Sequence, residues 1–216
     1  MAEITWLGHS CFRVKGREAT IMTDPYNKRL GHDFGRPRAD IVTVSRFGDS
    51  YGFVDVVKGE PKVLTGPGEY EVNDVFFTGI GTYADDAKGK KRGKNTVYVF
   101  ELEGMVFCHL GAIGHIPTTE QMEQITNIDV LLIPVGGNVT INASQAAELV
   151  SSIEPHIVIP MHYNVGVLDT DQEDVSHFAK EMGLSDISPQ EKLVIRPSDL
   201  PEGTKVVILS HDNTFK

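Results

Sequence analysis

Five short polar clusters, each following an apolar run, hold the side chains of this chain that could do chemistry. They are Gly8-His9-Ser10, Asp24-Pro25-Tyr26, the loop from Ser45 through Arg46 and Asp49 to Tyr51, His109-Leu110-Gly111-Ala112 with His115, and Met161-His162-Tyr163-Asn164. Open α/β folds gather the polar ends of their strands at one edge, so a shared active edge would bring these clusters together. Neutral imidazole is a good zinc ligand, and three histidines there could converge on one ion. A hydrolytic zinc site further requires a carboxylate beside the bound water, and Asp24 is the well-placed candidate, with Asp49 second. The plainer alternative is that these histidines hydrogen-bond backbone groups and settle their loops. Asp24-Pro25 reads equally as an Asx turn ending a strand or as a group that accepts a proton or holds a histidine ring. His162, behind Pro160, is the foremost single candidate. The Cys108-His109 pair is a poor nucleophile, because adjacent strand residues point to opposite faces. Gly136-Gly137-Asn138 before Thr140 resembles an anion loop but lacks a lysine, which favours a plain turn. His32, His177 and His211 have no organised company.

The elements that must position these groups follow from periodicity. Residues 4–7, 11–14 and 19–23 read as strands around turns, followed by short strands at 41–44 and 61–65. The period of 53–57 is ambiguous between a short helix and an edge strand. From 69 to 110 the runs 69–72, 75–79, 96–102 and 105–110 are β-rich, with hairpin turns at Asn73-Asp74 and Glu103-Gly104. Thr118 or Thr119 caps a helix reaching Ile125, ahead of the apolar strand 130–134. Asn142 opens the clearest helix, 143–153, with apolar residues at 143, 146, 147, 150 and 153 on one face. The strand 156–160, an amphipathic helix over 171–182 ending at Gly183, and closing strands at 192–195 and 205–209 complete the chain. Early hairpins and later strand–helix–strand units predict two sheets packed together with helices outside, one domain over residues 1–216.

Composition narrows the function classes. A formal charge of -10 argues against nucleic acid, and the one dense basic run, 88–94, reads as a solvated loop rather than a phosphate patch. With 40% hydrophobic residues the chain can fill a real core. Two cysteines on separate apolar segments read as buried free thiols suited to a reducing cytoplasm. No run approaches membrane-spanning length, so the expectation is a cytoplasmic protein with no membrane partner. A homo-oligomer is neither indicated nor excluded.

Several segments together resemble the metallo-β-lactamase superfamily: Trp6-Leu7-Gly8-His9-Ser10-Cys11-Phe12, Thr23-Asp24-Pro25-Tyr26, Gly66-Pro67-Gly68-Glu69-Tyr70, Leu131 to Gly137, and Ala146-Ala147 through Pro155 to Ile159-Pro160-Met161-His162-Tyr163. The match runs in order over residues 2–163 and looks closest to the small branch of zinc-dependent hydrolases related to the sugar-lactone and L-ascorbate-6-phosphate lactonase group. The resemblance implies an αββα sandwich of the α/β class with metals at the open edge of its sheets. It also implies a His-x-His-x-Asp-His loop whose ligands fall here on Arg46, Gly48, Ser50 and Tyr51. A further ligand histidine falls on Ala84 beside Asp85, and the bridging aspartate on Ala112. The final histidine ligand is present as His162; His9 and Asp24 match supporting positions lining the cavity.

Loss of these ligands makes a binuclear zinc centre physically implausible, and Arg46 would put a cation where Zn²⁺ should sit. The expectation is therefore a catalytically degenerate member with no cofactor. It would bind a small anion through His9, Arg46, Tyr51 and His162, with Arg46 also able to pair with Asp24 or Asp49. The alternative is a lactonase- or phosphoester-type hydrolase with a mononuclear zinc site from His9, His109, His115 and His162 with Asp24 or Asp49. A third reading, metal-free acid/base chemistry by His162 and Asp24, requires the two within hydrogen-bond range.

Overall fold

A computed structural model describes residues 1–30, 32–48, 50–166, 171–211 and 214–215. The chain opens with the antiparallel strands β1 (Ala2–Trp6), β2 (Phe12–Lys15) and β3 (Thr20–Thr23), then β4 (Ile41–Val44) and β5 (Lys62–Thr65). A hairpin-rich stretch follows with β6 (Gly68–Val72), β7 (Val75–Tyr83), β8 (Lys94–Leu102) and β9 (Met105–His109). Then come α1 (Thr119–Met122), β10 (Val130–Pro134), α2 (Ala143–Ile153), β11 (Ile157–Met161), α3 (Val175–Glu181), β12 (Leu193–Ile195) and β13 (Lys205–Val206). Among the described residues these build a six-stranded sheet, β12-β1-β2-β3-β4-β5, and a seven-stranded sheet, β13-β11-β10-β9-β8-β7-β6.

Alternation along the strands divides the apolar residues between two layers, as the two-residue strand period requires. Ile21 and Ile41 face the core between the sheets, whereas Met22, Val42 and Val44 face a smaller cluster on the outer side with Leu7, Tyr26 and Phe34. That outer cluster is covered by 3-10 turns at Lys28–Leu30 and Val54–Val56, so the ambiguous 53–57 segment is a single tight turn. The second sheet carries longer helices: Ala146, Leu149 and Val150 of α2 and Phe178 of α3 pack against the main core. The expected two-sheet sandwich with helices outside is therefore present.

Helix ends follow their capping residues. The Asn142 side chain accepts from Gln145 N–H while the Gln145 side chain accepts from Asn142 N–H, a reciprocal box that starts α2. Thr118 and Gln121 repeat it at α1, which ends at Met122 rather than reaching Ile125. The last amphipathic helix begins at Val175, not 171, because Asp174 is its N-cap. β7 is longer than its apolar run, extending to Tyr83 through its pairing with β8. Cys11 and Cys108 are both buried and free. No described helix is long and apolar enough to cross a membrane.

Candidate functional site

The strand-ending clusters meet at one edge through backbone contacts between the two sheets. His162 N–H donates to the His9 carbonyl at 3.1 Å, and Thr96 N–H donates to the Ser45 carbonyl at 2.9 Å. The buried Trp6 indole N–H donates to the same His9 carbonyl at 3.0 Å, tying the core to this edge. His9, Asp24 and His162, each just beyond a strand, adopt left-handed backbone with φ of 48°, 38° and 56°. For residues with a β-carbon this conformation costs on the order of 1 kcal/mol each. All three are buried, and the surrounding hydrogen bonds hold them in that geometry.

Asp24 lies beneath the loop rather than on a cavity wall. Its Oδ1 accepts from Ser45 N–H at 2.7 Å and its Oδ2 from the Ser45 hydroxyl at 2.5 Å. Burial lifts this carboxyl to about 7, against the opposing pull of the Ser45 hydrogen bonds and the Arg46 charge. Asp24 thus anchors the start of the 45–51 loop through Ser45, 21 residues on, rather than by the local bond of an Asx turn.

Tyr51 and His162 form the centre of the site. The Tyr51 hydroxyl lies 2.6 Å from His162 Nε2, and the two rings stack at 10° with centroids 5.9 Å apart. On the other side Gln172 Nε2 lies 2.5 Å from His162 Nδ1. Burial, then the neighbouring His9 and, more weakly, Arg46 hold the His162 imidazole down at about 3, so it is neutral. A neutral ring carries one proton, which makes two arrangements self-consistent. If Gln172 donates to Nδ1, then Nε2–H points at the Tyr51 oxygen and the phenolic proton is free to face the cavity. If the amide is turned, its otherwise unpartnered Oε1 accepts from Nδ1–H and Tyr51 donates to Nε2.

Around this pair lies a cavity of ≈ 470 Å³ whose walls include His9, Arg46, Tyr51, Arg92, His162 and Gln172. The His9 ring sits edge-on to Tyr26 at 4.8 Å and to His162 at 5.7 Å. It is 3% exposed, and neither ring nitrogen has a hydrogen-bond partner among the described residues. Burial pulls its pKa down to about 4. The Arg46 guanidinium lies 5.3 Å over the Tyr51 ring and donates to the Arg92 carbonyl at 2.8 Å. Arg92 in turn donates to the Asn138 carbonyl at 2.6 Å. Among the described residues neither guanidinium is in an ion pair, so Arg46 does not pair with Asp24. Asp49 lies outside the described residues.

The remaining histidines of the zinc alternative do not join this site. His109 donates from Nε2 to the Ser10 carbonyl at 2.9 Å and sits edge-on to the core ring of Phe12 at 6.4 Å. His115 accepts from Tyr83 N–H on Nε2 at 3.2 Å and donates from Nδ1 to the Ile116 carbonyl at 2.8 Å, which uses both ring nitrogens. These two have the loop-settling role instead. The metal-free pairing fails as well: His162 bonds Tyr51 and Gln172, and Asp24 bonds Ser45. His32 and His211 are not as solitary as their sequence context implies; their rings meet edge-on at 5.6 Å.

At the two lost-ligand positions outside the 45–51 loop the protein has packed itself shut. Ala84 and Ala112 are fully buried. The Asn95 side chain accepts from Ala112 N–H at 2.9 Å and donates to the Leu110 carbonyl and the Thr82 hydroxyl at 3.0 and 2.8 Å. Gly111 has φ of 60°, and a β-carbon there would lie 2.5 Å from Ser45 Cβ, so the loop can close only around glycine.

Three site residues escape the sequence reading. Arg92 belongs to the basic run taken as a solvated loop. That loop is organised by Asp85, whose carboxylate accepts from the N–H groups of Ala87, Gly89, Lys91 and Arg92 at 2.6–3.0 Å. Burial acts to raise the Asp85 pKa, but these four bonds outweigh it and leave the group below the usual range. Gln172 lies in a stretch read as helix, and Asn138 in a stretch read as a turn. The basic run carried a signal in its charge density and Asn138 one in its glycine-rich loop, whereas Gln172 carried none.

The domain model described as "Beta-lactamase superfamily domain" matches residues 3–162, the part of the chain that builds this edge. The chain belongs to the beta-lactamase superfamily. A solved structure of a protein proposed as a Zn-dependent hydrolase of the metallo-beta-lactamase superfamily, from Thermotoga maritima, is similar at 36% identity. The alignment covers 97% of this chain and 98% of that one, with a TM-score of 0.80. The UPF0173 protein of Pyrococcus furiosus is 29% identical over 83% of this chain and 90% of its own length. A UPF0173 metal-dependent hydrolase of Pyrococcus abyssi is 25% identical over 76% of this chain and 85% of its own length.

The zinc implied by the superfamily does not fit the residues in place. Among the described residues no three His, Cys, Asp or Glu side chains come together to hold a metal ion. His162 Nε2 already faces the Tyr51 hydroxyl, and the Arg46 cation stands over that ring. The chain has the superfamily fold with a degenerate site, its described residues lacking the binuclear cluster.

Proposed function

We propose that this protein is a metal-free binding member of the superfamily, a single domain that takes a small anionic molecule into the cavity at the sheet edge. The observation that carries the reading is the Arg46 guanidinium: it is held over Tyr51 and faces a cavity with the buried His9 ring, and among the described residues it has no carboxylate partner and neither His9 nitrogen has a hydrogen-bond partner. A cation held in place by an aromatic face and a backbone carbonyl is prepared to form charge-assisted hydrogen bonds with an incoming anion. Arg92 adds a second guanidinium on the same wall. The chain as a whole carries a charge of -10, so long-range steering opposes an anion and binding rests on this local pair.

Tyr51 and His162 form the floor. In the arrangement where His162 Nε2–H points at the phenolic oxygen, the Tyr51 proton becomes a donor to the ligand. The resemblance of its sequence segments to the sugar-lactone and L-ascorbate-6-phosphate lactonase group suggests a phosphate- or carboxylate-bearing ligand. The metal-dependent hydrolysis in the names of relatives is not carried over, because its ligand set is not in place. Titration of the full chain with inorganic phosphate by isothermal calorimetry tests the reading. Saturable binding that Arg46→Gln weakens by roughly 10-fold or more, the worth of a charge-assisted hydrogen bond, is expected. Absence of binding, or binding indifferent to Arg46, would reject it.

A further inference from the structure

A second cavity, of ≈ 580 Å³, lies on the far side of the two arginines and shares Arg46, Phe47 and Arg92 with the first. We propose that the natural ligand is bipartite: an anionic head between Arg46 and Arg92, and an uncharged, largely apolar tail lodged in this second cavity. The inference rests on the anion-binding reading above and adds the class of molecule that the site takes.

Three observations carry it. The walls of the second cavity include Val44, Pro67 and Tyr83, which offer apolar surface. Four of its polar side chains, those of Ser45, Thr82, Asn95 and Gln121, are already engaged within the protein. Ser45 donates to Asp24, the Thr82 hydroxyl donates to the Asn95 carbonyl, the Asn95 amide donates to Thr82 and Leu110, and the Gln121 amide donates to the Gly81 carbonyl. A tail with hydrogen-bonding groups of its own would find these four already engaged, whereas an apolar one asks nothing of them. Finally, no carboxylate among the described residues lines this cavity, and Lys94 joins Arg46 and Arg92 on its wall, so on this side an attached anion meets only positive charge, whereas Asp171 stands on the wall of the first cavity. At the junction Phe47 is 75% exposed, a large apolar ring on the surface beside the divide.

Gly81 supplies the test. A β-carbon at this position would make only ordinary contacts, 3.7 Å and 3.8 Å, with Pro67, so a larger side chain can enter the cavity without displacing backbone. Affinities of the full chain for inorganic phosphate and for phenyl phosphate are compared in the unaltered protein and in Gly81→Leu. The unaltered protein is expected to prefer phenyl phosphate by ~10-fold or more, as burial of an aryl ring would give. Gly81→Leu is expected to abolish that preference while leaving inorganic phosphate within about twofold, far less than the ~10-fold of one lost contact. Independently of any variant, phenyl phosphate and not inorganic phosphate should shift the backbone amide resonances of Gly81 and Tyr83. Equal affinity for the two ligands, or unmoved Gly81 and Tyr83 resonances, would overturn the bipartite proposal and spare the anion site. Failure of both ligands to bind would overturn the underlying reading too.

Discussion

Tyr51 decides what His162 can do. An imidazole nitrogen 2.6 Å from a phenolic oxygen is already engaged, and the stacked rings hold that contact in one geometry. Tyr51→Phe removes the partner from a buried nitrogen and is expected to destabilise the fold by about 1–3 kcal/mol, measured by urea denaturation. The buried titratable groups also give the site a signed pH dependence. His162, His9 and His109 are depressed to about 3, 4 and 4 in the fold from 6.5, so between those limits the unfolded chain binds more protons. Their contribution to stability is complete above about pH 6.5 and is lost as pH falls toward their folded values. Asp24 has the opposite sign: raised from 3.8 to about 7, it favours the folded state most below pH 3.8 and loses that contribution as pH rises through 7. Three histidines against one carboxyl give a net rise in stability between roughly pH 4 and 6.5. Asp24→Asn is expected to be most destabilising near pH 4 and least near pH 8, read from denaturation midpoints across that range. A cost independent of pH would contradict the raised carboxyl.

The loop after β7 shows how an exposed segment can be rigid enough to present a functional group. Four N–H groups converge on the Asp85 carboxylate, and Arg92 stands at the end of that wrap with its guanidinium on the Asn138 carbonyl. Asp85→Ala is expected to remove hydrogen-exchange protection from the amides of Ala87, Gly89, Lys91 and Arg92. Phosphate binding should weaken as well, by roughly threefold to 10-fold, because Arg92 loses its fixed position although no cavity residue has changed. Unaltered phosphate affinity with the loop amides deprotected would remove Arg92 from the site. The tail of β9 behaves differently. Asn95 bonds both Leu110 and Ala112 and, with Gly111 against Ser45, fills the ground where a bridging carboxylate would have to stand.

The two sheets meet at an edge that retains the superfamily frame and has lost its ligands. This combination makes a prediction for the molecule as a whole. After incubation with excess zinc and desalting, elemental analysis should find well under one equivalent per chain, and zinc should leave the melting temperature unchanged, because a ligand that binds only the folded state would raise it. Stoichiometric zinc lost on His162→Ala would restore the hydrolase alternative. Arg46 is half-buried and Arg92 is exposed, so added salt should weaken phosphate binding measurably, and more through Arg92 than through Arg46.

The strands, the main helices and the superfamily frame were legible in the residues because each is a local or periodic property. Val130 to Pro134 and Ile157 to Met161 can hardly be other than buried strands, and Asn142 with Gln145 writes its own cap. The lost ligands were equally legible, since an alanine at 84 or 112 cannot coordinate a metal whatever surrounds it. The site that replaced them was not. That Tyr51 would face His162, Gln172 close the other nitrogen and Arg92 reach the cavity from a solvated run depends on contacts separated by 111, 10 and 46 residues. Short-range preference carries no information about such contacts; only the packing of two sheets edge to edge brings these side chains within hydrogen-bond distance.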